Sequence, residues 1–304
     1  MRIGVAATPS VALPTLDWLL DSQYSLVHVF STPDQPAGRG RALISSPVST
    51  WAKAHGVPLT TTRELEVLEE CFRSVDIVLV IGFGVIFSEQ ILNAPKFGCI
   101  NLHFSLLPQW RGAAPVQHAL MQGQNALGVT VFRLETGVDT GPVFSSNSLE
   151  VSSDATYGEV LEQMSELGVS AVKRALEKVV AGESPVPQSG DGISLAPKIS
   201  RQGAKIDWTK SARDIHNKVR GLNPEPGAWT TWRDEPLQIR RTQVENSTSL
   251  LQAGEIALVN GVLLAGCGDN EVLQISTLIP SGRREMPAKD WANGARLQQG
   301  ATFV

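Results

Sequence analysis

The stretch from Cys99 to Pro142, CINLHFSLLPQWRGAAPVQHALMQGQNALGVTVFRLETGVDTGP, decides how the chain folds. Cys99 to His103 reads as the end of a buried strand, and side chains two apart on a strand share a face, so Asn101 and His103 point the same way. Ser105-Leu106-Leu107-Pro108 then turns the chain out of the sheet, Arg111-Gly112 continues the loop, and Ala114 to Met121 has the pattern of a short helix. A polar pair at the exit of a strand lies where open α/β sheets bind their ligands. The next strand, Gly128 to Leu134, ends in the turn-rich run Glu135 to Gly141, which makes Asp139 a loop carboxylate after a neighbouring strand. A carboxylate reaching His103 would orient the imidazole and favour its charged form. Asn101 and His103 would then donate hydrogen bonds to a developing oxyanion, which is equipment for acyl transfer.

Working outward, Ile3 to Ala7 reads as a first strand, Ala12 to Leu20 as a helix with Leu13, Leu16, Leu19 and Leu20 on one stripe, and Ser25 to Ser31 as a second strand. This β-α-β opening implies a parallel sheet wound in the Rossmann manner, although no G-x-G-x-x-G is present. Asp76 to Ile81 is the most apolar strand and is expected at the centre. The segment Gly82-Phe83-Gly84-Val85-Ile86 leaves the sheet at the edge where Asn101 is placed. Thr156 to Ala181 has the spacing of one long amphipathic helix. Between them, 32–41 (TPDQPAGRGR) is too rich in Pro and Gly for a regular element and reads as a surface loop carrying cations.

At 304 residues the chain suits two domains, and its 42% apolar content supplies a core. No run approaches the roughly 18 apolar residues of a membrane helix, and the opening apolar segment is too short for a signal peptide. Cys71, Cys99 and Cys267 are widely spaced without metal-ligand patterning, which fits a reduced, cytoplasmic setting and no metal. A Pro/Gly/Ser-rich stretch divides the chain into 1–184, a linker 185–203, and 204–304. From Ala228 onward five short strands alternate with turn residues, implying a small closed barrel of OB-like form. Residues 1–203 carry 14 basic and 19 acidic side chains, against 12 and 11 in 204–304. Between Lys198 and Arg220 seven cations (Lys198, Arg201, Lys205, Lys210, Arg213, Lys218, Arg220) face two acids, enough to hold a phosphate backbone on an acidic protein. On charge alone a solvated helix face is the better reading. Arg213, Asn217 and Arg220 are expected to face away from the helix's apolar stripe, and Trp229 and Trp232 to sit in the core.

Taken singly, Asn101, His103 and Asp139 are each ordinary structural residues. N-x-H followed by SLLP, RGAAP and VDTG is a longer pattern, and with it the sequence resembles the folate-dependent formyltransferase family. The resemblance implies that Asn101, His103 and Asp139 are catalytic, and that Ser105, Leu106, Leu107 and Pro108 form the folate-binding loop. Phe83, Gly84, Val85 and Ile86 would wall the pterin pocket. Phe104 departs from the smaller residue usual in relatives, and Glu225 from the aromatic usual there. PDQPAGRG resembles the inserted loop of the tRNA-acting members, which implies contact of Arg39, with Arg41 as helper, with the acceptor end of initiator tRNA. Lys198, Lys205, Lys210, Arg213 and Arg220 would support that contact. The implied reaction is formyl transfer from 10-formyltetrahydrofolate to the free α-amino group of methionyl-initiator tRNA, by a cytoplasmic monomer. A related enzyme formylating an amino sugar is the alternative, and a non-catalytic RNA-binding protein or a formyl hydrolase are the more distant ones.

Overall fold

The computed structural model describes residues 1–37, 42–245 and 251–304. The contacts divide the chain into two compact units, each drawn from separated segments: Met1–Gly112, Leu127–Leu149 and Leu161–Leu195 in the first, Ala113–Ala126, Glu150–Val160 and Ala196–Val304 in the second.

In chain order the elements of the first half are β1 (Arg2–Ala7), α1 (Leu13–Leu20), β2 (Ser25–Ser31), β3 (Gln35–Ala37), β4 (Ala42–Ile44), α2 (Pro47–Ala54), β5 (Leu59–Thr61), α3 (Leu65–Phe72), β6 (Ile77–Ile81), α4 (Glu89–Leu92), β7 (Cys99–His103), α5 (Pro115–Met121), β8 (Ala126–Arg133), β9 (Val143–Glu150) and α6 (Tyr157–Ala181). A seven-stranded sheet runs β5-β2-β1-β6-β7-β8-β9. The pairs from β5 to β7 are parallel and β8 joins β7 antiparallel, so the fold is mixed α/β around a mainly parallel sheet. All five residues of β6 are buried, as expected of a central strand covered on both faces. Because β6 and β7 are parallel neighbours, with Val80 opposite Asn101, their exit loops at 82–88 and 104–114 emerge at the same edge of the sheet. Beneath the first of these loops Phe30, Phe72, Phe83 and Phe87 pack into one aromatic cluster.

The reading of 32–41 as irregular is corrected at 35–37 and stands at 32–34; 38–41 lie outside the described residues. Gln35–Ala37 and Ala42–Ile44 pair as an antiparallel ribbon, with Pro36 opposite Leu43. A two-stranded ribbon is all edge, so a proline without an N–H is tolerated there. Arg39 and Arg41 lie outside the described residues.

The second unit holds α7 (Ala212–Gly221), β10 (Ala228–Trp232), β11 (Glu235–Glu245), β12 (Ile256–Val259), β13 (Val262–Gly266), β14 (Val272–Pro280), β15 (Met286–Pro287) and α8 (Ala288–Ala295). Its antiparallel sheet runs β10-β11-β14-β13-β12. The final residues close it into the OB-like form. Thr231 on β10 exchanges both backbone hydrogen bonds with Val304, at 2.9 and 3.1 Å, while Ile256 N–H donates to Ala301 and Phe303 N–H to Gly254. Phe303 is buried inside, against Trp208, Trp232 and Trp291.

The buried arc of α7 is wider than its apolar stripe. Asn217 and Arg220, expected to face away, are 6% and 3% exposed. Within this unit α5 packs along α7 at Gly221, where a β-carbon would stand 3.0 Å from Met121 and 3.1 Å from the Gln117 carbonyl. Covering that side of α7 takes its polar residues out of water.

Candidate active site

Asn101 and His103 sit on the last turn of pleat of β7, facing the same side, opposite Phe132 and Thr130 of β8. Asn101 is half-buried, and among the described residues nothing hydrogen-bonds its side-chain amide. His103 is buried, with the edge of Phe132 against its ring. Its Nε2 is 3.0 Å from the Trp110 carbonyl, which can only accept, so Nε2 carries the proton. Its Nδ1 faces Asp139 Oδ2 at 3.7 Å. The same carboxylate oxygen accepts the Gly112 N–H at 2.8 Å.

Burial is the largest influence on His103 and pushes its pKa below the ordinary value of 6.5; the nearby Asp139 carboxylate and the Trp110 carbonyl pull it back only in part. Asp139 does favour the charged form of the imidazole, as expected, but desolvation outweighs a carboxylate held beyond hydrogen-bond distance. What the arrangement offers near pH 7 is a neutral imidazole whose Nδ1 lone pair lies beside a carboxylate. That suits a proton acceptor whose charged form will be stabilised as it forms.

The SLLP loop is pinned to β8. Ser105 donates to the Gln109 carbonyl at 2.6 Å, and Thr130 donates to the Ser105 carbonyl while accepting the Leu107 N–H. Leu106, Leu107 and Pro108 remain half-buried. In the other loop Phe83 is 2% exposed and belongs to the aromatic core, so its side chain does not line a pocket. Gly84, with φ of 72°, half-buried Val85 and Ile86, 85% exposed, are the members that face outward.

Among the cations, Lys198, Lys210 and Arg213 are exposed. Lys205 lies 5.6 Å and Arg201 5.7 Å from the ring of Trp229, which, like Trp232, is partly buried and packs against the core of the second unit, in line with the core placement read from sequence. Arg220 as a nucleic-acid contact is corrected. Its guanidinium donates to Asn217 Oδ1 at 2.9 Å and points at the Gln124 and Ala155 carbonyls and Asn125, all within the second unit.

Four contributors escaped the sequence reading: the Trp110 carbonyl, the Gly112 N–H, Gln188 and Ser194. The first two act through the backbone and carry no side-chain signature, and the last two stand in a low-complexity stretch. Cys99 is buried, which raises its thiol pKa far above the usual range and leaves it an inert core residue. Among the described residues no three His, Cys, Asp or Glu side chains converge as metal ligands, and no helix is long and apolar enough to cross a membrane.

The chain thus carries an Asn-x-His pair and a loop aspartate on a mainly parallel sheet, followed by a small antiparallel barrel, and its class is that of the formyl transferases. The family described as formyl transferase matches residues 1–176, and that described as formyl transferase, C-terminal domain, matches 198–296. A methionyl-tRNA formyltransferase from Salinispora tropica is 40% identical over the full length of both chains, and this chain belongs to the methionyl-tRNA formyltransferase family. Solved structures share the fold at lower identity. An N-formyltransferase from Helicobacter canadensis, in complex with folinic acid and dTDP-3-aminofucose, matches at 17% identity and a TM-score of 0.69 over 90% of this chain and 98% of that one. HypX from Aquifex aeolicus, in complex with tetrahydrofolic acid, matches at 16% and 0.68 over 96% of this chain, which spans 46% of the HypX chain.

Proposed function

We propose that the protein transfers the formyl group of 10-formyltetrahydrofolate to the α-amino group of methionyl-initiator tRNA, giving N-formylmethionyl-tRNA. The observation that carries the reading at the site is the Asn101 amide, unpartnered among the described residues, on the same strand face as a buried histidine beside a carboxylate. The amine attacks the formyl carbon and the carbonyl π pair moves onto oxygen, where the Asn101 amide donates to it. His103 Nδ1 takes the proton lost by the amine, and Asp139 stabilises the imidazolium so formed. Collapse then expels the folate nitrogen, which takes the proton back from the His103 imidazolium and leaves the ring neutral again. An α-amino group titrates near 8, so a sizeable fraction is already nucleophilic at neutral pH.

Ser105 to Pro108 and Gly84 to Ile86 are assigned to the folate, and Arg39, Arg41, Lys198, Lys205, Lys210 and Arg213 to the tRNA. The boundaries 1–184, 185–203 and 204–304, a monomeric state and a cytoplasmic setting complete the reading. The 40% identity to a methionyl-tRNA formyltransferase over the full length of both chains favours the tRNA acceptor over an amino sugar, since the amino-sugar enzyme shares the fold at only 17%.

The test is a formyl-transfer assay with 10-formyltetrahydrofolate and Met-charged initiator tRNA, run beside a panel of amino sugars. Transfer to the tRNA is expected, weakened by Arg39→Ala. Asn101→Ala is expected to lower turnover by about 10²- to 10³-fold in a folded protein. Transfer to sugars alone would overturn the acceptor, and wild-type turnover in Asn101→Ala would remove its role.

A further inference from the structure

Both polar partners of His103 are non-glycine residues in the left-handed region: Trp110, whose carbonyl meets Nε2, has φ of 61°, and Asp139, which faces Nδ1, has φ of 51°. Such a conformation is unfavourable for an L-residue and persists only where the surroundings over-determine it. Here one segment, 186–195, supplies that determination at both positions. It enters by pairing Val186 with Val143 through two backbone hydrogen bonds of 2.7 and 2.8 Å. Gln188 then donates from its amide nitrogen to the Asp139 and Gly141 carbonyls, both at 2.8 Å, while its amide oxygen accepts Arg111 Nη2 at 2.7 Å and Nε at 3.2 Å. Six residues on, the Ser194 hydroxyl accepts the Trp110 N–H at 2.9 Å and the Ser194 carbonyl accepts the Arg111 N–H at 2.9 Å.

We infer that the segment 186–195, whose composition reads as a linker, is part of the catalytic centre, with Gln188 and Ser194 as positioning residues that fix Asp139 and the Trp110 carbonyl around His103. The inference rests on the catalytic reading of His103 and Asp139. Gln188 uses every hydrogen-bonding group of its amide to join the 139–141 turn to Arg111, whose neighbour Gly112 binds the Asp139 carboxylate. The turn and the loop are thereby clamped to each other from backbone and side chain together. Ser194 anchors the other side of the imidazole. Neither side chain touches the reacting atoms, so their loss acts on the alignment of His103 and leaves the binding surfaces for folate and tRNA in place.

The experiment measures kcat, KM for each substrate, and Tm for the full chain carrying Gln188→Ala, Gln188→Glu, Ser194→Ala or Ser194→Thr, beside His103→Ala and Asp139→Asn. A displacement of about 1 Å at a catalytic group costs up to roughly a hundredfold in rate. Gln188→Ala and Ser194→Ala are expected to lose roughly ten- to a hundredfold in kcat with little change in either KM. Gln188→Glu keeps the acceptor for Arg111 but loses both donations, so it should be as slow as Gln188→Ala. Ser194→Thr keeps the hydroxyl and should recover most of what Ser194→Ala loses. Wild-type kcat in Gln188→Ala and Ser194→Ala, with His103→Ala and Asp139→Asn inactive, would overturn the positioning role and leave the catalytic trio standing. Full turnover in His103→Ala and Asp139→Asn would instead remove the catalytic reading, and this inference with it. A raised KM at unchanged kcat, or full activity in Gln188→Glu, would also overturn it.

Discussion

At the scale of single residues, His103 shows how burial sets chemistry. A histidine in water is half-charged near pH 6.5, whereas this ring is held neutral by desolvation despite a carboxylate 3.7 Å away. Followed by NMR of its ring protons, assigned by their loss in His103→Gln, it should titrate below 6.5. Asp139→Asn should move the midpoint further down, since the carboxylate's upward pull is removed; a midpoint above 6.5 would contradict the desolvation argument. Arg220 is the opposite case of a charge whose burial disqualifies it. Arg220→Ala removes the charged donor to the Asn217 oxygen, and hydrogen bonds to charged groups are worth about 1.5–3 kcal/mol each. Urea denaturation should therefore show Arg220→Ala destabilised by roughly 2–4 kcal/mol. The exposed Arg213→Ala should lie within about 0.5 kcal/mol of wild type and reveal itself only in tRNA affinity.

At the scale of elements, what could be read in advance follows from periodicity. The N-x-H spacing placed Asn101 and His103 on one face because a strand repeats every two residues, and α6 declared itself through a stripe sustained over 25 residues. Elements whose signal is short or non-local were not legible. β3 and β4 are three residues each around a Pro/Gly-rich sequence, α8 is eight residues long, and the closing segment 301–304 is defined only by what lies on either side of it. Gln188 and Ser194 stayed hidden for a related reason: their partners are backbone groups 47 to 84 residues away. Closure of the barrel gives a test at this scale. Phe303 is 4% exposed and stacks at 5.5 Å on Trp208, so Phe303→Ala removes a buried aromatic from a segment that joins both edges of the sheet. The expected loss is about 3–5 kcal/mol, measured as an earlier urea midpoint for the transition reported by tryptophan fluorescence. An unchanged midpoint would mean that the closing segment contributes nothing to the barrel's stability.

At the scale of the whole molecule, three histidines share one electrostatic fate. His28, His103 and His216 all have pKa values lowered, in each case chiefly by burial. His28 stacks on Phe30 and meets Thr60. His216 lies between Thr242 and the Ser153 carbonyl, with Asp154 raising its pKa and Arg220 and Arg213 lowering it. A group with a depressed folded-state pKa binds its proton less readily in the native than in the unfolded chain, so between the two pKa values the unfolded state holds more protons. For a base that difference favours unfolding as the pH falls. Stability should therefore be fully present above about 6.5, the unfolded value, and decline on acidification through it until each folded-state pKa is passed. The carboxylates with lowered pKa, Glu159 and Asp207, start from 4.5 and 3.8 and so act only in a more acidic window. The expected outcome is a Tm that falls between about pH 7 and pH 5, with a shallower fall in His216→Gln combined with His28→Gln, because neither replacement can take up a proton. An equal slope in that double variant would show that the acid sensitivity arises elsewhere and that these two rings are not held neutral by the fold.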